Sequence, residues 1–135
     1  MSTSIKTSTG KPPANLYGRC RDAFGVDWEK NIIITYGDTA YCRIKIPEDT
    51  LIHEEVHVRQ QQNLGKDIWW EKFFADKKFR LSQELEAYQA QYDFVKKTMD
   101  KKHRKFIYDF IIKCITTMYG DMVSGEPEAR KIFKY

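Results

Sequence analysis

The chain has few cysteines and no long apolar segment, and these two absences narrow the class of protein. Its 135 residues include three cysteines that lie far apart and form no Cys-x-x-Cys pair: Cys20, Cys42 and Cys114. An odd and scattered set does not suit a disulfide framework. The N-terminus lacks the apolar run of a signal peptide, and no stretch approaches the roughly 18 apolar residues of a membrane span. We expect a soluble protein of the reducing cytoplasm.

A strong excess of one charge is also missing. The chain has 23 basic and 19 acidic residues, a net charge of +4, which neither requires nor excludes an anionic partner. The densest basic stretch runs from Lys96 to Lys105 and is typical of a solvated helix face. Nucleic-acid binding through this stretch is the alternative, and it would require binding that collapses with added salt. We do not expect nucleic acid to be the partner.

The first residues differ in composition from the rest. Residues 1–15 are rich in serine, threonine, lysine and proline and have no apolar periodicity, so we predict a flexible polar tail there. Residues 16–135 suffice for one domain that buries a core without disulfides or a structural metal. A metal bound by this chain would therefore serve chemistry.

Two segments of strand character flank a turn. Residues 31–36 are a β-branched run, residues 41–46 alternate between apolar and basic, and Gly37-Asp38-Thr39-Ala40 lies between them. The pattern predicts a β-hairpin. Its second strand would present Cys42, Ile44 and Ile46 on one face and Arg43 and Lys45 on the other.

Helical patterns occupy most of the remaining chain. After a possible short helix within residues 16–30, a helix is expected to follow Pro47, with Asp49 or Thr50 as its cap, and to end at Gly65. Further helices are expected from Asp67 to Phe79, Ser82 to about Met99, Lys105 to about Tyr119 (with Phe106, Phe110 and Ile111 on its apolar side) and Glu126 to Phe133. The sequence thus predicts an α+β fold, mostly helical, in which a small hairpin packs on the helix that follows it.

That helix carries His53-Glu54-Glu55-Val56-His57. Residues four apart lie on the same helix face, so His53 and His57 can direct both imidazoles at one ion, while Glu54 lies about 100° around the helix. Zinc binds neutral imidazole readily, and a neighbouring carboxylate can take a proton from a water molecule. The spacing therefore predicts a zinc site, and the alternative is a pair of surface histidines.

A catalytic zinc ion needs three protein ligands, so one is missing from this motif. The only other histidine, His103, lies in the basic stretch and is expected to face solvent, and Cys114 fits a core position. Glu84 and Glu86, on a later helix, are the better candidates. Because residues two apart point to different sides of a helix, only one of these carboxylates can be the ligand.

The two motifs, His53 to His57 and Glu84-Leu85-Glu86-Ala87, together resemble the gluzincin group of zinc metallopeptidases. The resemblance covers about residues 31–92 and is greatest to short zincin-like proteins whose motif continues into glutamines, as Arg59-Gln60-Gln61 does here. It implies a zincin-like domain over residues 16–135, with a sheet edge beside the active-site helix. It also implies Zn²⁺ held by His53, His57 and Glu84, with Glu54 as the general base.

Two positions depart from related patterns. The glycine and histidine that a metzincin carries after its second motif histidine are Gln60 and Asn63 here, which excludes that branch. Many gluzincins have an aspartate four residues after the ligand glutamate, and this position is Tyr88. Its hydroxyl would orient a ligand or stabilise an oxyanion, or else the ring is simply packed. This departure leaves the choice between Glu84 and Glu86 open.

The function expected from these features is that of a zinc metallopeptidase, a hydrolase that cleaves peptide bonds through a metal-activated water. A peptide or protein substrate would lie extended against strand 41–46. The alternative is a non-catalytic zincin-fold component of a larger assembly such as a virus particle. In that case an assembly partner would order the N-terminal tail, and the protein would be associated with the virion.

Overall fold

The computed structural model describes residues 5–120 and 122–135. The described part contains three strands, β1 (Lys6–Ser8), β2 (Ile34–Tyr36) and β3 (Thr39–Tyr41), and a short 3₁₀ helix at Trp28–Lys30. Its α-helices are α1 (Ala14–Phe24), α2 (Glu48–Leu64), α3 (Lys66–Ala75), α4 (Lys77–Thr98), α5 (Lys101–Thr117) and α6 (Glu126–Ile132). The predicted α+β, mostly helical class is confirmed.

Strands β2 and β3 form the predicted antiparallel hairpin, with Tyr36 opposite Thr39. Gly37 has a φ of 65°, the left-handed value that the first central residue of a two-residue hairpin turn requires. The second strand is shorter than predicted, because the chain leaves the sheet after Tyr41 to reach α2 at Glu48. The predicted alternation over residues 41–46 is therefore wrong at Ile44, whose side chain is 54% exposed.

The sheet has the order β1-β3-β2, and β1 lies parallel to β3. The prediction of a flexible tail does not hold for residues 6–8, because the outer edge of β3 offers backbone groups with which they pair. The amide of Lys6 donates to the carbonyl of Asp38 (2.8 Å) beside this pairing. β3 is paired on both sides and residues 42–46 lie outside the sheet, so the strand edge over residues 41–46 along which a substrate peptide was expected to lie is not present.

Helix α2 begins one residue before the predicted cap. Pro47 precedes it without a side-chain cap, and neither Asp49 nor Thr50 serves as one. Asp49 is instead buried and accepts a hydrogen bond of 2.8 Å from Gln91 Nε2 on α4. The predicted end at Gly65 is confirmed, since Gly65 follows the last helical residue with a φ of 97°.

Two aspartates set helix starts that lie earlier than predicted. The side chain of Asp76 accepts hydrogen bonds from the amides of Lys78 and Phe79, so α4 begins directly after it. For the same reason α3 ends before Asp76, earlier than the predicted end at Phe79. Asp100 accepts from the amide of His103 and begins α5 at Lys101. Such caps satisfy backbone donors that the first helical turn leaves free, so each helix begins within the lysine-rich segment that follows the aspartate.

The site helices are held by one aromatic cluster and one helix pair. Trp69, Trp70 and Phe73 of α3 are buried in the core that includes α1 and the hairpin, and α2 packs along α4. Helix α5 differs from its prediction, because Ile111 is buried but Phe106 and Phe110 are 70% and 51% exposed. None of the helices in the described ranges is long and apolar enough to cross a membrane.

Candidate metal centre

Helix α2 buries the two motif histidines one turn apart. His53 and His57 are 6% and 5% exposed, and their Nε2 atoms lie 3.2 Å from each other. The four-residue spacing places both imidazoles, edge to face, on the side that α2 turns towards α4. The predicted convergence of both rings on one point is therefore present, and the two histidines do not lie on the surface.

Helix α4 brings Glu84 to the same point. Glu84 Oε1 lies 2.9 Å from His57 Nε2, and Glu84 Oε2 lies 3.4 Å from His53 Nε2. Glu86, two residues later, is exposed and accepts a hydrogen bond of 2.7 Å from Gln60 Nε2. Of the two candidate carboxylates, the one that faces the histidines is Glu84.

Glu54 lies beside the two histidines and is held by the hairpin. Its Oε2 is 3.9 Å from His53 Nε2, and its Oε1 accepts a hydrogen bond of 2.8 Å from Thr35 Oγ1 on β2. The potential ligand atoms of His53, Glu54 and His57 all lie within 4.8 Å of one another, so this buried group could hold a metal ion. Thr35 was missed in the sequence, where the only signal is a hydroxyl within a β-branched run.

Gln60, one turn after His57, fixes the orientation of its ring. His57 Nδ1 donates to Gln60 Oε1 at 2.8 Å, because an amide oxygen can only accept. The amide nitrogen of Gln60 faces two acceptors, the Gln83 carbonyl (3.1 Å) and Glu86 Oε1, which sets the orientation of the amide group. A neutral His57 therefore carries its proton on Nδ1 and turns the lone pair of Nε2 towards His53 and Glu84.

Gln61 joins the hairpin to the site helix. Its Oε1 accepts from the amide of Gly37 at 2.7 Å, and its Nε2 donates to the carbonyl of Thr35 at 2.9 Å. The glutamine run after the motif thus has two distinct tasks: Gln60 contacts α4, whereas Gln61 contacts the hairpin. Neither task was predicted from the sequence.

Two tyrosines border the centre. Tyr88 is buried, and its ring centroid lies 4.4 Å from that of His53, so it packs against a motif histidine. Tyr119, which the sequence analysis missed, lines the same cavity from beyond the end of α5. Burial and the negative charge of Glu84 raise the pKa of both phenols well above the usual value, so both hydroxyls remain protonated donors.

His57 and Glu84 each shift the pKa of the other. Burial lowers the pKa of His57, but the Glu84 carboxylate outweighs this effect and raises the pKa to about 9. Burial raises the pKa of Glu84, yet the positive charge of His57 and the histidine nitrogens that face the carboxylate bring the pKa well below its usual range. The centre therefore favours a positive charge next to Glu84, which a proton or a metal ion can supply.

A metal ion could satisfy these donor atoms better than they satisfy one another. The two Nε2 atoms face each other and Glu84, so one proton between them cannot satisfy all the groups. Among the described residues Glu84 Oε2 finds no hydrogen-bond partner although it is buried. Two imidazole nitrogens and one carboxylate are a common protein ligand set of a catalytic zinc ion.

A cavity of about 180 Å³ adjoins these groups. Residues 31–33, which precede β2, and residues of α2, α4 and α5 line it, among them Gln91, Phe110, Cys114 and Met118. Burial raises the pKa of the Cys114 thiol to about 11, so this residue remains a neutral part of the wall. His103 is exposed, as predicted, and lies away from this cavity. Its Nδ1 pairs with Asp100 Oδ1 at 2.8 Å.

Comparisons of the chain with protein-family models, with curated proteins and with solved structures give no match.

Proposed function

We propose that this protein is a zinc-dependent peptidase of zincin-like fold. The observation that carries the proposal is the convergence of His53 Nε2, His57 Nε2 and the Glu84 carboxylate in a buried centre, with a fourth side chain, Glu54, beside them. A purely structural zinc site would use four protein ligands and leave no position open. Here the fourth side chain, Glu54, accepts a hydrogen bond from Thr35 through one of its oxygens. This arrangement suits a general base better than a metal ligand.

In this proposal each residue has a defined task. His53, His57 and Glu84 would hold the ion, which when bound lowers the pKa of a water molecule and polarises a carbonyl group. Glu54 Oε2 takes the proton from the attacking water and delivers it to the leaving amine, while the Thr35 hydroxyl holds Oε1 in place. Tyr88 and Tyr119 are protonated and can donate to a developing oxyanion.

The substrate backbone would lie along residues 31–33, which line the cavity. The next carbonyl on this edge that could receive a peptide amide, that of Thr35, already accepts from Gln61 Nε2 (2.9 Å) and Trp70 Nε1 (3.1 Å). A peptide that adds to the edge of β2 can therefore pair only before Thr35. This restriction keeps the scissile bond near the histidines.

The test separates metal binding from turnover with two neighbouring glutamates. Glu54→Gln removes the base and keeps the side-chain shape, whereas Glu55→Gln makes the same change outside the donor group. Metal analysis should find about one zinc ion per chain in the wild type and in both variants. Cleavage of a peptide library, followed by mass spectrometry, should fall by about 10²- to 10⁴-fold in Glu54→Gln alone.

Two results would contradict the proposal. Cleavage by Glu54→Gln at the wild-type rate would remove Glu54 as the base. A zinc-loaded wild type that cuts no member of the library would favour the non-catalytic assembly component, for which the burial of all four side chains is the supporting observation.

A further inference from the structure

Helix α5 exposes an apolar stripe that the core leaves uncovered. Phe106 and Phe110 are one turn apart and are 70% and 51% exposed, and Lys113 follows one turn later on the same face. Two neighbouring phenylalanines exposed to this degree are unusual on a surface without a binding role. The stripe leads towards the metal centre, because Phe110 also lines its cavity.

A second cavity, of about 340 Å³, continues from the stripe. Its walls come from α5 and from the segment between α1 and β2, and they include Val26, Ile32, Phe110 and Met118. Ile32, Phe110, Cys114 and Met118 line both this cavity and the cavity at the metal centre. The two cavities therefore lie side by side with a shared wall, and together they are called the groove: it extends from the histidines to the exposed face of α5.

The outer part of the groove carries unbalanced positive charge. Lys30 and Lys113 line it, are exposed, and form no ion pair with any residue in the described ranges. The one carboxylate in the lining belongs to Asp27, which is engaged locally: it accepts from Tyr17 Oη (3.2 Å) and from the amide of Glu29 (2.9 Å). An occupant with a negative group would thus meet two available ammonium groups above an apolar floor.

We propose that this groove binds the substrate peptide and selects a large apolar side chain next to an acidic residue. The inference rests on the proposed peptidase function and gives its substrate class. The apolar side chain would lie against Val26, Phe110 and Met118, and the neighbouring carboxylate would reach Lys113 or Lys30. Exposed charges of this kind change affinity modestly, so the apolar contact supplies most of the binding and the lysines supply the selection.

The experiment measures binding without turnover. Zinc-loaded Glu54→Gln protein is titrated into dye-labelled peptides of one Gly/Ser frame that contain Leu-Glu, Leu-Gln, Leu-Lys or Ala-Glu, and fluorescence anisotropy gives each Kd. Leu-Glu should bind most tightly, with an advantage of about five- to tenfold over Leu-Lys. Adding Lys113→Glu should reverse this order. Lys131→Glu, the same charge change on exposed α6, should leave it intact.

A second variant tests the apolar floor. Phe110→Ser removes a half-exposed ring, so the fold should persist, and the three leucine peptides should lose affinity while Ala-Glu is little affected. An order of affinities that Lys113→Glu does not alter would overturn the proposal, as would the absence of binding by every peptide. Sedimentation that shows a dimer dissolved by Phe110→Ser would also overturn it, because a second copy would then cover the stripe.

The failure of this proposal can be told apart from that of the peptidase function. If Glu54→Gln protein binds the peptides in the expected order and the wild type cuts none of them, the groove is supported and the peptidase activity fails. If the wild type cuts peptides with no dependence on Lys113, the activity stands and the groove assignment fails.

Discussion

Glu84 and Glu86 lie two residues apart on α4 and have opposite surroundings. Glu84 is 1% exposed and faces both motif histidines, whereas Glu86 is exposed and accepts from Gln60. The rotation of about 200° between residues i and i+2 of a helix explains this difference. The two carboxylates form a matched pair for a test of the third ligand.

We expect Glu84→Gln to lower zinc affinity by more than about 100-fold, since loss of a residue that merely orients a ligand already costs up to about that factor. Glu86→Gln should bind zinc as the wild type does, because the amide oxygen of glutamine can still accept from Gln60. Competition with a chromophoric chelator measures both affinities. Equal losses in the two variants, or a loss in Glu86→Gln alone, would show that Glu84 is not the ligand.

The motif residues could be predicted because the helix period alone determines their relation. His53 and His57 share a face in any α-helix, and the burial of both agrees with that expectation. The choice of Glu84 came from a family resemblance rather than from the residues. Thr35 could not be predicted, because its contact with Glu54 depends on where the hairpin lies against α2.

Among the helices, one buried amide connects the His57 ring of α2 to α4. Gln60 contacts His57 with its oxygen and the backbone and side chain of α4 with its nitrogen. The position of α4 and the orientation of the His57 ring are thereby coupled. Packing alone would hold the two helices together but would not determine which ring nitrogen of His57 faces the donor group.

Gln60→Leu should keep the packing volume and remove all three hydrogen bonds of the side chain. We expect zinc affinity to fall by about 10- to 100-fold, the usual effect when the partner of a ligating histidine is lost. Gln62→Leu, two residues later and exposed, is the matched control and should have no effect. Chelator competition reports the affinities, and circular dichroism verifies that both variants fold. Wild-type affinity in Gln60→Leu would mean that the His57 ring needs no such support.

The presence of each helix could be predicted from the sequence more accurately than the residues at which it begins and ends. The lysine-rich starts of α4 and α5 have no apolar periodicity, and only the capping hydrogen bonds of Asp76 and Asp100 reveal them. The apolar side of α5 was misjudged for a different reason. Periodicity identifies an apolar face but not its partner, and Phe106 and Phe110 face outwards beside the groove.

At the level of the whole molecule, we expect protons and zinc to compete for one buried centre. The pKa of His57 is raised to about 9, so below that pH the metal-free protein holds a proton that zinc must displace. Zinc affinity should therefore weaken about tenfold for each unit by which the pH falls below 9. Chelator competition between about pH 6 and 8 measures the slope, because this whole range lies below the pKa of His57 and each chain should therefore release one proton when zinc binds.

The slope has a control just outside the centre. Glu86→Gln leaves His57 and Glu84 in place and should show the wild-type dependence on pH. An affinity that does not change with pH would mean that His57 is neutral before zinc binds, and it would contradict the coupled charges assigned to His57 and Glu84.

The carbonyl of Thr35 accepts two hydrogen bonds, and this has a consequence for self-association. An open strand edge is a template on which other chains add and aggregate. On β2 the side chains of Gln61 and Trp70 occupy the acceptor at the middle of the edge, and on the opposite side β1 extends the sheet by only three residues. The described sheet thus offers little length for a foreign strand, which protects the protein from edge-to-edge aggregation.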